Sequence, residues 1–271
     1  MPTTRSTDGV EISYRTAGDG PTDLLFLHGW AGSGRYFDQA VEHLDLSRLR
    51  AVTFDLRGHG DSGRTERGYT LEQIADDAIA VADAVGSERF VLVGYSMSGK
   101  FAQYVACAYP ERVIGQVLVA GCPAFALPLP AELLADWFGR EGDAARMAEI
   151  PRMYASRPVP EHVLDRCGAD AARVPLNALR GTIELVTSTS FAQRLGGMPT
   201  PTLVIGGRHD AIFSPEAMAE GVVAPIRGAR LEIVDCGHEI PIEQPRELAT
   251  LIDGFAAEVG AAVSRPQAPA L

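Results

Sequence analysis

The chain has few basic residues, few cysteines and no long apolar run. Its 271 residues include 24 basic and 35 acidic ones, which gives a formal net charge of −11, and Lys100 is the only lysine. This excess of negative charge, without a basic patch, argues against nucleic acid or an anionic membrane surface as a partner. No run reaches transmembrane length, and the polar N-terminus lacks the apolar core of a signal peptide. We therefore expect a cytoplasmic protein.

The four cysteines are isolated from one another along the chain. They form no C-x-x-C pair and no spacing typical of a metal-ligand set, so we expect neither a zinc site nor a disulfide framework. We expect them to act mainly as small buried residues, Cys236 included. They are Cys107, Cys122, Cys167 and Cys236.

Apolar runs and helical patterns alternate along most of the chain. A content of 46% hydrophobic residues over this length is enough for one domain with a large core. Four continuous apolar runs are typical of strands buried on both faces of a parallel sheet. Amphipathic patterns between them predict flanking helices. The runs are 24–27, 51–54, 90–93 and 117–120, the helical patterns are 36–44, 71–85 and 101–109, and an antiparallel hairpin is expected around 10–15.

The alternation breaks after Gly121 and resumes at Thr202. Residues 123–197 contain helical patterns but no convincing strand, and 248–259 reads as a closing helix. The last residues, 260–271, are rich in Ala and Pro, and we expect them to be disordered.

Ser96 lies where a predicted strand turns sharply into a predicted helix, in the sequence Gly-Tyr-Ser-Met-Ser-Gly. Such a turn needs very small residues two positions before and two positions after the central one, because the chain folds back on itself. Gly94 and Ser98 meet this requirement. A serine on this turn is a candidate nucleophile.

A serine hydroxyl needs a base to accept its proton and an acid to orient that base. Of the six histidines, His238 stands out because it follows the strand-like residues 231–234 on a tight turn. Asp210 ends the strand-like run 202–205 in the same way. We therefore predict that Ser96, His238 and Asp210 form the catalytic group.

These residues, in the order serine, acid, histidine, resemble the α/β-hydrolase superfamily. The stretches 24–30, 54–62 and 237–245 support the resemblance, which extends over nearly the whole chain. It implies an α/β-hydrolase fold, with a mostly parallel central sheet flanked by helices. It also implies a core of residues 1–122 and 198–259, with a helical cap inserted at 123–197.

The resemblance also implies an oxyanion hole formed by the backbone N–H groups of Trp30 and Met97. Since a cap roofs the pocket in this superfamily, we expect Trp30, Trp137, Phe138 and Tyr154 to bind the substrate. His28 is expected to support its loop rather than act as a base. In the loop 55–63, we expect Arg57 to pair with Asp61.

The leading substrate is a carboxylic ester or lactone of an apolar small molecule, cleaved through an acyl-enzyme with no cofactor and no metal. Serine at position 96 argues against dehalogenase and epoxide hydrolase chemistry, which uses an aspartate there. Three alternatives stay open: a carbon–carbon bond hydrolase, a cofactor-free perhydrolase or haloperoxidase, and a non-catalytic ligand-binding protein. The sequence gives no indication of the oligomeric state.

Overall fold

The computed structural model describes residues 1–263, and a sheet of eight strands lies at its centre. The strand order is β1-β2-β4-β3-β5-β6-β7-β8. The strands are β1 (Thr3–Arg5), β2 (Glu11–Ala17), β3 (Thr22–Leu27), β4 (Leu49–Phe54), β5 (Phe90–Tyr95), β6 (Val113–Val119), β7 (Thr202–Gly207) and β8 (Arg230–Val234).

The sheet is parallel from β4 to β8, and β1 and β2 are antiparallel at one edge. This arrangement confirms the predicted mostly parallel sheet and the N-terminal hairpin. All the parallel strands end at the same edge of the sheet, where loops from several strands meet and where α/β proteins bind ligands.

The described residues also contain ten α-helices and short 3-10 and π-helical turns, which lie between the strands or follow the last one. They are α1 (Asp38–Val41), α2 (Leu71–Ala84), α3 (Met97–Ala108), α4 (Ala131–Phe138), α5 (Ala144–Tyr154), α6 (Glu161–Ala172), α7 (Leu176–Ser188), α8 (Pro215–Met218), α9 (Ile240–Glu243) and α10 (Pro245–Val263). The 3-10 turns are Gly34–Phe37 and Ala192–Gly197, and the π turn is Ala219–Val223.

Two apolar clusters cover the two faces of the sheet. Ile74 of α2 and Phe101 of α3 belong to one cluster, and Ile252 of α10 belongs to the other. Successive residues of β3 alternate between them, with Leu25 in the first and Phe26 in the second. Each fully buried side chain of this size contributes about 1.5–3 kcal/mol, so both helical layers are held by the strands between them.

Residues 123–197 contain α4 to α7 and a 3-10 turn, with no strand in that range. The buried side chains Ile183 and Val186 of α7 join the core cluster that contains Phe101. We call residues 123–197 the cap segment. No helix among the described residues is both long and apolar enough to span a bilayer.

The closing helix α10 continues to Val263, so the first four residues of the segment expected to be disordered are helical. The rest of that segment, residues 264–271, lies outside the described residues.

The expected pair of Arg57 with Asp61 is wrong. Arg57 is completely buried and binds Asp77 at 2.6 Å and Asp8 at 2.8 Å, which ties its loop to α2 and to the N-terminal hairpin. Asp61 instead meets Arg173 of the cap segment at 2.6 Å. Sequence proximity favoured the local pair, but the buried guanidinium needs a carboxylate that is buried with it.

Candidate active site

Ser96 lies on a strained turn between β5 and α3. Its φ of 52° falls in the left-handed region that side chains other than glycine rarely adopt. A Cβ atom at Gly94 would lie 2.3 Å from the carbonyl oxygen of Ser98 and 2.8 Å from the Cβ of Ala102. The requirement for a very small residue at this position, predicted from the sequence, is therefore confirmed. The turn presents Ser96 at the edge where the parallel strands end.

The structure brings Ser96, His238 and Asp210 together, although 142 residues separate the serine from the histidine. The Nε2 atom of His238 lies 2.9 Å from Ser96 Oγ, and its Nδ1 atom lies 2.8 Å from Asp210 Oδ2. Since an ionised carboxylate only accepts hydrogen bonds, Nδ1 carries the proton and Nε2 accepts from the serine hydroxyl. This is the tautomer that a general base needs.

Backbone groups fix both partners of Ser96. The Oδ1 atom of Asp210 accepts hydrogen bonds from the N–H groups of Ile212 at 2.7 Å and Phe213 at 2.9 Å. The N–H of His238 donates to the carbonyl of Tyr154 at 3.0 Å. The cap segment therefore takes part in positioning the histidine.

Two opposing effects act on the His238 pKa. Burial lowers it, whereas the hydrogen bond that the ring donates to Asp210 and the negative charges of Asp210, Glu239 and Glu243 raise it. The net result is a pKa above the ordinary value of 6.5. The imidazole is thus a stronger base than a free histidine.

The two backbone N–H groups predicted to form an oxyanion hole belong to Met97, the residue after the nucleophile, and to Trp30, in the loop after β3. Met97 is the first residue of α3, where helical N–H groups have no acceptor within the helix. Among the described residues, neither N–H meets an acceptor. A Cβ atom on Gly29, next to Trp30, would lie 3.4 Å from the Cβ of Ser96, so the two loops touch. The oxyanion hole formed by these two N–H groups stays a prediction.

His28 supports the loop beside the nucleophile, as predicted. Its Nε2 atom accepts from the N–H of Leu56 at 3.0 Å and its Nδ1 atom donates to the carbonyl of Gly29 at 2.8 Å. Burial lowers the His28 pKa to about 4, so the ring is neutral. The Ser98 hydroxyl donates to the carbonyl of His28, which joins this loop to the serine turn.

A cavity opens above Ser96 and His238. It encloses about 630 Å³ of space between protein atoms, part of which is open to solvent. Trp30 stacks on Trp137 with ring centroids 4.9 Å apart, and Tyr154 meets Trp137 edge-on at 6.5 Å. These three rings, each predicted to bind substrate, form one wall of the cavity.

Phe138 is not among the residues that line the cavity, so its contact with the substrate stays a prediction. Its ring centroid lies 6.3 Å from that of Trp30, and the guanidinium of Arg180 lies 4.7 Å from it. Cys236 is completely buried and also lies outside the lining, in agreement with a packing role.

Sequence reasoning missed a polar part of the cavity lining formed by Tyr36, Tyr95 and Glu239. Tyr95 and Glu239 are the chain neighbours of Ser96 and His238, which was an available signal, whereas nothing local identified Tyr36. It also missed Glu243, whose carboxylate accepts from the N–H groups of the histidine loop and of the cap segment. Among the described residues, no group of three or more His, Cys, Asp or Glu side chains is arranged to hold a metal ion.

Comparisons with known proteins agree with this architecture. The chain matches the model of the Alpha/beta hydrolase family over residues 24–251. It is 30% identical to a non-heme haloperoxidase of Rhodococcus erythropolis, covering 86% of this chain and 90% of the relative. It is also 30% identical to a pimeloyl-[acyl-carrier protein] methyl ester esterase of Nitrosomonas europaea, covering 91% of this chain and 100% of the relative.

A solved structure described as an N-acyl homoserine lactone degrading enzyme is 28% identical to this chain. It superposes with a TM-score of 0.75, covering 94% of this chain and 100% of that one. Sequence and fold lead to the same conclusion: this chain belongs to the alpha/beta hydrolase family.

Proposed function

We propose that the protein is a serine hydrolase that cleaves a carboxylic ester or lactone of an apolar small molecule. The observation that carries this proposal is the hydrogen-bonded line from Asp210 through His238 to Ser96 at the base of the cavity. Each member has the donor and acceptor roles that acyl transfer needs.

In the proposed mechanism Ser96 Oγ attacks the substrate carbonyl while His238 Nε2 accepts the hydroxyl proton. Negative charge develops on the carbonyl oxygen and is stabilised by the N–H groups of Trp30 and Met97, each such donor contributing about 2.7–4 kcal/mol. His238 then protonates the leaving alcohol. A water molecule, activated by the same histidine, releases the acid from the acyl-enzyme. No step requires a cofactor or a metal ion.

The lining of the cavity supports an apolar substrate. Trp30, Trp137 and Tyr154 offer flat aromatic surface, and Met147 and Ile150 add aliphatic surface. Similarity to a methyl ester esterase and to a lactone-degrading enzyme supports esters and lactones as the class of substrate.

A second candidate is a cofactor-free perhydrolase or haloperoxidase activity, which the similarity to the haloperoxidase favours. The acyl-enzyme at Ser96 would be the same, with hydrogen peroxide in place of water as the attacking molecule. Carbon–carbon bond hydrolysis has less support. Such enzymes usually carry a pocket arginine and asparagine, and neither residue type occurs in the described lining.

A serine-reactive fluorophosphonate probe tests the proposal. We expect the wild type to be labelled and to hydrolyse short p-nitrophenyl esters, and Ser96→Ala to do neither. Ser188→Ala, which removes an exposed hydroxyl on α7, is the matched control and should behave as the wild type. An unlabelled wild type, or labelling that persists in Ser96→Ala, would exclude Ser96 as the nucleophile. Adding hydrogen peroxide and measuring peracid against acid separates the two candidates.

A further inference from the structure

The cavity lining also contains three polar side chains, Tyr36, Tyr95 and Glu239, that take no step in the proposed mechanism. Tyr36 and Tyr95 stack with centroids 5.3 Å apart and an angle of 16° between their planes. Both hydroxyl groups donate to the same oxygen of Glu239, Oε2, and the bond from Tyr95 measures 2.6 Å. Three elements far apart in the chain therefore converge on one carboxyl group.

The other oxygen of this carboxyl group, Glu239 Oε1, has no hydrogen-bond partner among the described residues. Glu239 is only 4% exposed and belongs to the cavity lining. Oε1 is not among the fully buried side-chain atoms that lack a partner, so it still reaches the open space of the cavity. A substrate that fills the cavity would cut this oxygen off from water, which costs about 1–3 kcal/mol unless the substrate supplies a hydrogen-bond partner. An oriented, unpaired oxygen beside the nucleophile has the form of a substrate contact.

A hydroxyl group matches this oxygen better than other polar groups do. It both donates and accepts, so it pairs with Oε1 whether the carboxyl group is ionised or protonated. An ammonium group would have to leave water for a cavity otherwise lined mainly by aromatic and aliphatic side chains, and one carboxyl group already shared by two phenols does not offset that cost. A purely apolar substrate would leave Oε1 unpaired.

We infer that Glu239, held in place by Tyr36 and Tyr95, recognises a hydroxyl group on the substrate. The inference rests on the proposed function and narrows it, since the preferred substrates become hydroxylated esters: the aromatic wall binds the apolar part and Glu239 binds the hydroxyl group. A site built for a hydroxyl discriminates against the analogue that lacks it, because its own polar group is then buried unpaired.

Binding measured in Ser96→Ala tests the inference without any turnover. Trp30 and Trp137 are the only tryptophans in the chain and both line the cavity, so their fluorescence reports its occupancy. The ligands are phenyl butyrate and three hydroxylated analogues, namely the phenyl esters of 2- and 3-hydroxybutyrate and 3-hydroxyphenyl butyrate. We expect at least one analogue to bind about 10- to 100-fold more tightly than phenyl butyrate, the range of a hydrogen bond to a charged group.

The quantity compared between variants is the dissociation constant of phenyl butyrate divided by that of the tightest-binding hydroxylated analogue. All variants carry Ser96→Ala. Glu239→Leu should bring the ratio close to 1. Glu239→Gln should keep part of it, because the amide oxygen still accepts from the phenols while its N–H meets the hydroxyl. Tyr36→Phe should lower it by a smaller factor. Tyr104→Phe is the matched control, since it removes a phenol hydroxyl bonded to Glu72 outside the cavity and should keep the full ratio.

Hydrolysis of the same four esters by the wild type, followed by acid release, separates failure of the inference from failure of the proposed function. Hydrolysis of all four with equal kcat/KM, together with equal binding, would overturn the hydroxyl site and leave the esterase proposal standing. The opposite outcome is that none of the four esters is hydrolysed while Glu239→Leu abolishes the binding ratio. That result would overturn the esterase proposal and leave the hydroxyl site standing. A ratio that survives in Glu239→Leu overturns the inference. If Glu239→Leu does not fold, the test passes to Tyr36→Phe, and an unchanged binding ratio in that variant overturns the inference.

Discussion

At the scale of a single residue, three groups of contacts set the tautomer, the position and the pKa of His238. Asp210 sets its tautomer, the carbonyl of Tyr154 holds its backbone, and the negative charges around it raise its pKa. None of these groups touches the bond that the proposed reaction breaks. Together they determine whether the Ser96 hydroxyl finds a neutral, correctly oriented base.

Asp210→Asn should lower kcat for a short p-nitrophenyl ester by about 10⁴-fold. The amide can donate to Nδ1, which places the ring proton on Nε2. A protonated Nε2 can no longer accept the hydrogen bond from Ser96 Oγ. Steady-state kinetics measure the effect, and circular dichroism verifies the fold. Asp235→Asn, which changes an exposed carboxylate bonded to His209, is the control. Activity near that of the wild type in Asp210→Asn would require another acid.

The pH profile of kcat/KM should show an acid limb governed by His238. Because only the neutral ring accepts a proton, activity falls as the pH drops through the His238 pKa, and the raised pKa places this midpoint above 6.5. The residual activity of Asp210→Asn should show a lower midpoint, since the bond that raises the pKa is weakened. A midpoint clearly below 6.5 in the wild type would contradict the assignment.

At the scale of the elements, buried charges hold helices and loops to the sheet. Arg57 and Asp77 are both completely buried and join the loop after β4 to α2. The Lys100 ammonium on α3 donates to the carbonyls of Phe125, Val186 and Thr189, at both ends of the cap segment. These contacts fix the cap segment to the helix that begins at the nucleophile.

Arg57→Leu should destabilise the protein by about 3–5 kcal/mol, because it leaves the Asp77 carboxylate buried without its partner. Urea unfolding followed by circular dichroism measures the difference. Arg230→Leu breaks an exposed pair with Glu258 and should cost less than about 1 kcal/mol. The double variant Arg57→Leu with Asp77→Leu should recover part of the loss. A loss for Arg57→Leu as small as that of the control would show that Asp77 finds another partner.

Lys100 should give the protein a specific pH dependence of stability. Burial lowers its pKa from 10.5 to about 8 in the folded protein. Between pH 8 and 10.5 the unfolded chain therefore binds more protons at this position, and this contribution to the free energy of unfolding rises with pH.

Urea unfolding at pH 7, 8, 9 and 10 measures this contribution as the difference between the wild type and Lys100→Met. Above pH 8 the free energy of unfolding of the wild type should rise relative to that of Lys100→Met. Below pH 8 the difference between the two should stay constant. The comparison removes the effect of other groups that titrate in the same range. A difference that does not change with pH would show that Lys100 keeps an ordinary pKa.

At the scale of the whole molecule, the candidate active site lies where the sheet, the histidine loop and the cap segment meet. The carboxylate of Glu243 accepts hydrogen bonds from Gly237 and Glu239 in the histidine loop and from Ser156 and Arg157 in the cap segment. A Cβ atom on Gly237 would lie 2.4 Å from the carbonyl of Tyr154, so this junction has no spare room.

Glu243→Ala should therefore affect stability and activity together. Several buried N–H groups lose their acceptor, which should cost about 2–4 kcal/mol in urea unfolding. The turnover of a short ester should fall because His238 is no longer held against the cap segment. Glu247→Ala, an exposed change on α10, is the control for both measurements. Normal turnover in a destabilised Glu243→Ala would show that the junction has no effect on the histidine.

Local sequence patterns were sufficient to predict the parallel sheet, the serine turn and the grouping of Ser96, Asp210 and His238. Strand runs, a turn that excludes side chains at Gly94, and residues at strand ends are local patterns, and parallel strands necessarily bring their ends to one edge. No local pattern predicted the partners of Arg57, the position of Phe138 or the cluster of Tyr36, Tyr95 and Glu239, which are visible only in the folded protein. Their contacts join elements far apart in the chain, and which buried charge or ring finds which partner depends on how those elements pack.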